Sequence, residues 1–185
     1  MEARGRAGDR TIEERGTPAY VAEFLGTFLL VLFVCSVVSV NSAGGLGFTD
    51  FAVIGLVHLA VLSLLVYSLG HTSGAHFNPA VTAALTALRK ITPLDALIYV
   101  LVQLAGGVAG ALVTKVLLKD EGDAVNYGAT TVSEKFLQGK ALPAVLVEVI
   151  GTFVLMWAIM TFAVNPRGLR AVSYTHLTLP TTPYV

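Results

Sequence analysis

Residues 70–82 read GHTSGAHFNPAVT and interrupt an apolar region of the chain. Uncharged residues 51–69 lead into this stretch, and uncharged residues 77–88 lead out of it. Asparagine is a favoured N-cap and proline a favoured first helical residue, so Asn78-Pro79 predicts the start of a helix. With its caps this helix has about 11 residues, or roughly 16 Å. That is about half of a 30 Å bilayer core.

Arg89-Lys90 follow the apolar run with positive charge, which suits a helix C-terminus at a cytoplasmic surface. The pattern therefore predicts a re-entrant loop and half-helix over residues 70–88, with Gly70 and Gly74 permitting the turn. Non-helical backbone at membrane depth persists only where protein or a watery cavity satisfies it. We expect the freed carbonyls to line a polar path; they belong to Gly74, Ala75, His76 and Phe77. Asn78 adds the positive end of a helix dipole and a side-chain amide.

The composition of the whole chain supports a membrane setting. Hydrophobic residues make up 55% of it and charged residues 13%, and the mean hydropathy is +0.74. Soluble proteins carry roughly 25% charged residues. Four segments are long enough to cross a bilayer: 18–40, 51–69, 96–118 and 142–164. The prediction is an all-α, multi-pass membrane protein, and its net charge of zero gives no indication of nucleic acid as a partner.

The distribution of positive charge predicts a cytoplasmic N-terminus. In that orientation eight of the 12 Lys and Arg lie on the cytoplasmic side, as the positive-inside rule favours. Residues 1–16 then form a cytoplasmic tail. The first span exceeds the apolar part of a signal peptide, so we expect it to be retained. Cys35 is the only cysteine, which precludes an intramolecular disulfide, and it is interpreted as a small packing residue.

A repeated pattern, E-x-x-G-T-F, occurs in the first and fourth spans. It starts at Glu23 and again at Glu148, an offset of 125 residues (148 − 23). A charge at the centre of a span costs roughly 2.5–3.5 kcal/mol, so two at matching positions indicate a repeat. With three spans per unit, the two copies have opposite membrane orientations, which is an inverted repeat.

The second repeat is expected to be incomplete. A second Asn-Pro-Ala would fall near position 203 (78 + 125), beyond residue 185. Residues 173–185 hold two prolines and four threonines, do not form a span, and resemble translated sequencing-adapter sequence. We therefore expect a membrane domain over 17–172 and an atypical tail over 173–185. Asn165-Pro166-Arg167 directly follows the fourth span and is interpreted as a turn, with no channel role.

Taken together, residues 18–170 resemble the first part of an aquaporin, of the major intrinsic protein family. Asn-Pro-Ala alone is weak evidence, but SGAHxNPAVT after an uncharged span, with E-x-x-G-T-F in both halves, is specific. Gln103 and the Gly106 to Gly110 segment also match. The resemblance implies an aquaporin-like inverted-repeat helical bundle with a re-entrant half-helix and, for a complete protein, a homotetramer.

The resemblance also implies roles for individual residues. Asn78, Pro79 and Ala80 would form one of two opposed pore motifs, in which the asparagine donates to a passing water and the dipoles exclude cations. Glu23 and Glu148 would each buttress a re-entrant loop. His58, 20 residues before Asn78, would occupy the selectivity filter and resembles filters that pass water and sometimes ammonia, urea or glycerol. The alternative for His58 is a half-buried side chain bonded to a neighbouring helix.

Other sites are less favoured. His71 and His76 lack a nearby Cys, Asp or Glu, so we expect loop packing and no metal or cofactor. Gly106 and Gly110 form G-x-x-x-G, which favours close helix packing.

Three functions remain open at this point. The first is a passive channel for water and small neutral solutes in the cell membrane, with the lipid bilayer as its surroundings. The second is an ion- or proton-coupled secondary transporter with broken helices. The third is an inactive partial fragment of an aquaporin, because one half-helix without its opposed partner provides only part of a pore. An enzyme is least favoured, since the spans hold no nucleophile–base pair.

Overall fold

The computed structural model describes residues 15–41 and 48–161, and within these ranges every regular element is a helix. Seven α-helices follow one another along the chain, with a 3₁₀ turn at Asn126–Gly128 between the fifth and sixth. They are α1 Thr17–Asn41, α2 Phe48–Ser73, α3 Pro79–Ala87, α4 Pro93–Leu117, α5 Lys119–Asp123, α6 Glu134–Leu137 and α7 Ala141–Ile159. Four of them are long and apolar enough to cross a membrane: α1, α2, α4 and α7.

The helix starts follow capping chemistry that the sequence contains. Asn78 precedes α3 with extended backbone, and its side chain accepts a hydrogen bond from the Ala80 N–H. Thr92 precedes α4 in the same way and accepts from the Asp95 N–H, with Pro93 as the first helical residue. α3 has nine residues, about 14 Å of helix. It is therefore a half-length helix between two full-length ones.

The described residues form two compact units that divide between Thr130 and Thr131. In the first unit α1 packs against both α2 and α4, and α3 packs against α4. α1 and α4 approach closely because glycines stand at their crossing. A β-carbon on Gly106 would overlap the Phe24 carbonyl oxygen, and one on Gly110 would lie 2.5 Å from the Phe28 carbonyl oxygen.

One expected boundary was wrong. The turn was predicted from Gly70, but α2 continues to Ser73, and the Gly74 N–H donates a helical hydrogen bond to the Gly70 carbonyl at 2.9 Å. The non-helical loop is therefore residues 74–78. The helix gains its last turn because partners from α1 and α4 bind its end: the Ser73 hydroxyl donates to Glu23 and its carbonyl accepts from Tyr99.

The second unit contains α6 and α7. α7 carries the second E-x-x-G-T-F copy, and its large apolar side chains are exposed along most of its length. Asn165-Pro166-Arg167 and residues 173–185 lie outside the described residues, as do residues 1–14 of the N-terminal tail.

Candidate functional site

The loop between α2 and α3 has an unusual backbone. Gly74, Ala75 and Phe77 all have positive φ, at 89°, 51° and 47°. Glycine adopts this region freely, but a non-glycine residue there costs of order 1 kcal/mol or more. Two such residues persist only where surrounding groups fix the chain. Side chains of α1 and α4 do so here.

The Glu23 carboxylate of α1 fixes the loop through hydrogen bonds. Its Oε1 accepts from the Ser73 hydroxyl at 2.6 Å and from the His76 N–H at 2.9 Å. Its Oε2 accepts from the Phe77 N–H at 2.7 Å and from the Gln103 side-chain amide at 2.8 Å. Glu23 is fully buried, and all four contacts are donors, which suits an acceptor-only carboxylate. One side chain of α1 thus satisfies two successive loop amides.

Gln103 links the carboxylate to the half-helix. Its amide nitrogen donates to Glu23 and also to the Thr82 hydroxyl at 3.0 Å. Thr82 in turn lies 3.1 Å from Nδ1 of His76 and 3.2 Å from the Asn78 carbonyl. The network connects α1, α4, the loop and α3, and all of these side chains except that of Asn78 are buried.

Tyr99 of α4 is a second support that has no exposed surface. Its hydroxyl donates to the Ser73 carbonyl at 2.7 Å, which satisfies the last residue of α2. Its ring meets the His76 ring edge-on at 5.1 Å between centroids and the Tyr20 ring at 6.0 Å. The end of α2 and the loop histidine are therefore fixed by the same side chain.

The contacts between the loop and α1 show the direction in which the loop runs along this helix. Glu23 lies six residues after the start of α1 and Gly26 nine residues after it, about 9 Å and 14 Å along the axis. Glu23 binds the His76 and Phe77 amides, and a β-carbon on Gly26 would overlap the Phe77 ring. Half of a bilayer core is about 15 Å. The loop thus runs inward from the end of the bundle where α1 begins.

The free polar groups of the loop are those that can meet a solute. The Asn78 side-chain oxygen is occupied by the Ala80 N–H at 2.8 Å, so its NH₂ group is the part of this side chain that remains to donate a hydrogen bond. Within the described part of the chain, no hydrogen bond uses the carbonyls of Gly74, Ala75, His76 or Phe77 as acceptors. Four acceptors and one amide donor are thus left unused by the described residues; of the residues that carry them, Gly74 is exposed, Ala75 and Asn78 are half-buried, and His76 and Phe77 are buried.

Several predicted residues do not join this cluster. His58 lies in the middle of α2 with an exposed side chain, and His71 is also exposed. Glu148 is exposed in the second unit. Residues 15–41 and 48–161 contain no group of three His, Cys, Asp or Glu that could hold a metal ion. The roles proposed for His58 and Glu148 remain predictions.

Tyr99, Asp95 and Tyr20 are site residues that the sequence did not reveal. Asp95, Tyr99 and Gln103 follow one another at four-residue spacing and so share one face of α4. Such a polar stripe in an apolar helix must face protein. This spacing is the sequence signal from which Asp95 and Tyr99 could have been predicted as site residues. Tyr20 and Asp95 join through a 2.6 Å hydrogen bond.

The fold and the loop define a multi-pass helical membrane protein in which the half-length helix α3 packs against the full-length helix α4. The chain belongs to the major intrinsic protein family, whose model matches residues 12–180.

Curated relatives agree with this membership. The chain is 34% identical over 170 residues to "Probable aquaporin PIP2-7" of Oryza sativa subsp. japonica, covering 88% of this chain and 56% of the relative. It is 33% identical over 171 residues to "Aquaporin AqpM" of Methanothermobacter marburgensis, covering 82% and 68%. The chain thus spans about half the length of the plant relatives that it matches.

Proposed function

We propose that the protein is a passive transmembrane channel for water and small neutral solutes. The observation that carries this proposal is the loop of residues 74–78, in which four successive carbonyls accept no hydrogen bond from the described residues while buried side chains fix the backbone. Such carbonyls can accept hydrogen bonds from a passing water molecule in place of its neighbouring waters, and the Asn78 amide can donate a hydrogen bond to the water oxygen. The relatives named aquaporins support the same activity.

A coupled transporter is the second candidate, and the described contacts favour it less. Coupling to an ion or proton gradient requires a titratable or ion-binding group that can change partners at the non-helical loop between α2 and α3. Asn78 is neutral, and the Glu23 carboxylate is occupied by four donors that hold the loop. His76 is buried against Thr82 and Tyr99. These groups act as supports for the backbone.

Further properties follow from the resemblance and remain part of the proposal. His58 would contribute to the solute filter, Glu148 would buttress a second loop, and the complete protein would be a homotetramer. The N-terminus would lie in the cytoplasm and the protein in the cell membrane. Which neutral solutes pass besides water would also depend on filter positions outside residues 15–161.

Osmotic shrinkage of proteoliposomes tests the proposal. We would compare empty liposomes, the 185-residue chain, and residues 1–161 joined to the second half of the AqpM relative. We expect water permeability well above that of empty liposomes from the joined chain, without any ion gradient, because passive flow needs only the osmotic difference. Permeability that appears only with a Na⁺ or proton gradient, or in neither protein, would contradict a passive channel.

A further inference from the structure

Arg15 lies beside the loop although it precedes the first helix. Its guanidinium Nη2 would be 3.9 Å from a β-carbon built on Gly74, the first loop residue. Gly74 is exposed, and Arg15 is half-buried. The guanidinium also lies within electrostatic range of His76, Tyr99 and the Asp95 carboxylate. A permanent positive charge therefore stands where the row of loop carbonyls begins.

Side chains of α1 and α4 anchor the backbone of Arg15. Its N–H donates to the Asp95 carboxylate at 3.2 Å, and its carbonyl accepts from the Tyr20 hydroxyl at 2.6 Å. The Tyr20 hydroxyl also lies 2.6 Å from Asp95 Oδ1, so its single proton is shared between that carboxylate and the Arg15 carbonyl. The Thr92 hydroxyl donates to Asp95 Oδ2 at 2.6 Å. Both hydrogen bonds of Arg15 use its main chain, so the guanidinium is not occupied by them. The anchor positions the backbone of Arg15, from which the side chain reaches the start of the loop at Gly74.

The chemistry of the loop explains why a charge at this point matters. Carbonyl oxygens attract cations as well as water, and the buried Glu23 carboxylate adds negative charge below them. The guanidinium charge at the start of the row, partly offset by the Asp95 carboxylate, opposes a cation that approaches, while a neutral solute is unaffected.

We propose that Arg15 is a specificity-determining residue, which discourages cations at the mouth of the path that begins at Gly74. The inference rests on the proposed channel function for its physiological meaning. The charge itself can be measured without any flux.

The test measures the reactivity of a thiol placed on the loop. In a Cys35→Ser background, Ala75→Cys puts the only thiol next to Gly74, and alanine already adopts the positive φ at this position. The purified chain in neutral detergent is treated at low ionic strength with a cationic and an anionic methanethiosulfonate reagent. Arg15→Gln should shift the two rates in opposite directions by up to roughly fivefold each, the scale of a unit charge at 4 Å in water. The ratio of anionic to cationic rate should thus fall by up to roughly 25-fold, the product of the two shifts.

Two further variants separate the effect of the charge at position 15 from the effect of removing any positive charge from the protein. Arg15→Lys should keep the ratio of the parent, and Lys90→Gln, which removes an exposed charge after the half-helix, should leave it unchanged. High salt should reduce the difference between the parent and the Arg15→Gln variant, because screening shortens the range of the charge. A ratio that is the same in the parent and in Arg15→Gln would overturn the proposal.

A flux measurement relates the charge to specificity. In the joined chain of the osmotic experiment, Arg15→Gln should raise the K⁺ leak relative to water flow and leave water flow itself near the parent value. Unchanged K⁺ leak alongside normal water flow would refute the specificity role. If no version conducts water, the channel proposal fails, and the thiol ratio still decides whether Arg15 sets the charge at the loop.

Discussion

Replacing Glu23 with leucine is expected to destabilise the first unit by about 3 kcal/mol or more. The change leaves the His76 and Phe77 N–H groups without acceptors, and it removes partners of Ser73 and Gln103. A buried donor left unsatisfied costs roughly 1–3 kcal/mol. The positive φ of Ala75 and Phe77 would then lack the contacts that hold it. The loop should lose its fixed conformation before the helices unfold.

Unfolding in mixed micelles of increasing SDS content, followed by circular dichroism, would measure this loss. Hydrogen exchange of the His76 and Phe77 amides would locate it. Glu148→Leu is the matched control, because it makes the same change in the same E-x-x-G-T-F context at an exposed position. The loop-holding role of Glu23 is wrong if both variants unfold at the same SDS fraction and the two amides stay protected.

Gly106→Ala is expected to be the second large effect, at about 2–3 kcal/mol. The added methyl would overlap the Phe24 carbonyl oxygen and lie 3.1 Å from the Phe28 nitrogen, both of which are main-chain atoms of α1. Main-chain atoms of a helix cannot rotate away, so α1 and α4 must separate. Overpacking of this kind typically costs roughly 1–3 kcal/mol. Because Glu23 and Gln103 lie on these two helices, separation should also stretch their 2.8 Å contact.

Gly107→Ala provides the comparison one residue away. A β-carbon there would lie 3.7 Å from Val31, which is an ordinary contact, and alanine is the better helix former. We expect Gly107→Ala to be neutral or slightly stabilising in the same SDS titration. Equal destabilisation by the two changes would show that the crossing of α1 and α4 is looser than described.

Local chemistry explains why the half-helix could be predicted from the sequence. Asn78 and Pro79 form an N-cap and a first helical residue whatever surrounds them, and the structure has both. The lack of charge in the long apolar runs likewise predicted four membrane-crossing helices. Each of these features depends on neighbours in sequence.

The remaining features depend on contacts between distant residues. α2 extends past Gly70 because Tyr99 and Glu23, 26 and 50 residues from Ser73, bind its end. The residues near Gly70 in the sequence therefore do not predict that α2 continues past it. The backbone of Arg15, whose side chain reaches Gly74, is likewise held in part by Asp95, 80 residues away. Such pairs leave only a weak signal, such as the spacing of Asp95, Tyr99 and Gln103 on α4.

The depth of Asn78 in the membrane tests the re-entrant loop most directly. In a Cys35→Ser background, Asn78→Cys and Lys90→Cys would be exposed in nanodiscs to a bulky polyethylene glycol maleimide, which reaches both membrane faces but is too large for a water path. Labelling after SDS denaturation would confirm that each thiol is present. We expect position 90 to react rapidly and position 78 to react only after denaturation, because Phe77, next to Asn78, packs on Gly26, about 14 Å along α1 from its start. Equal, rapid labelling of both positions in intact nanodiscs would contradict the re-entrant loop and the channel built on it.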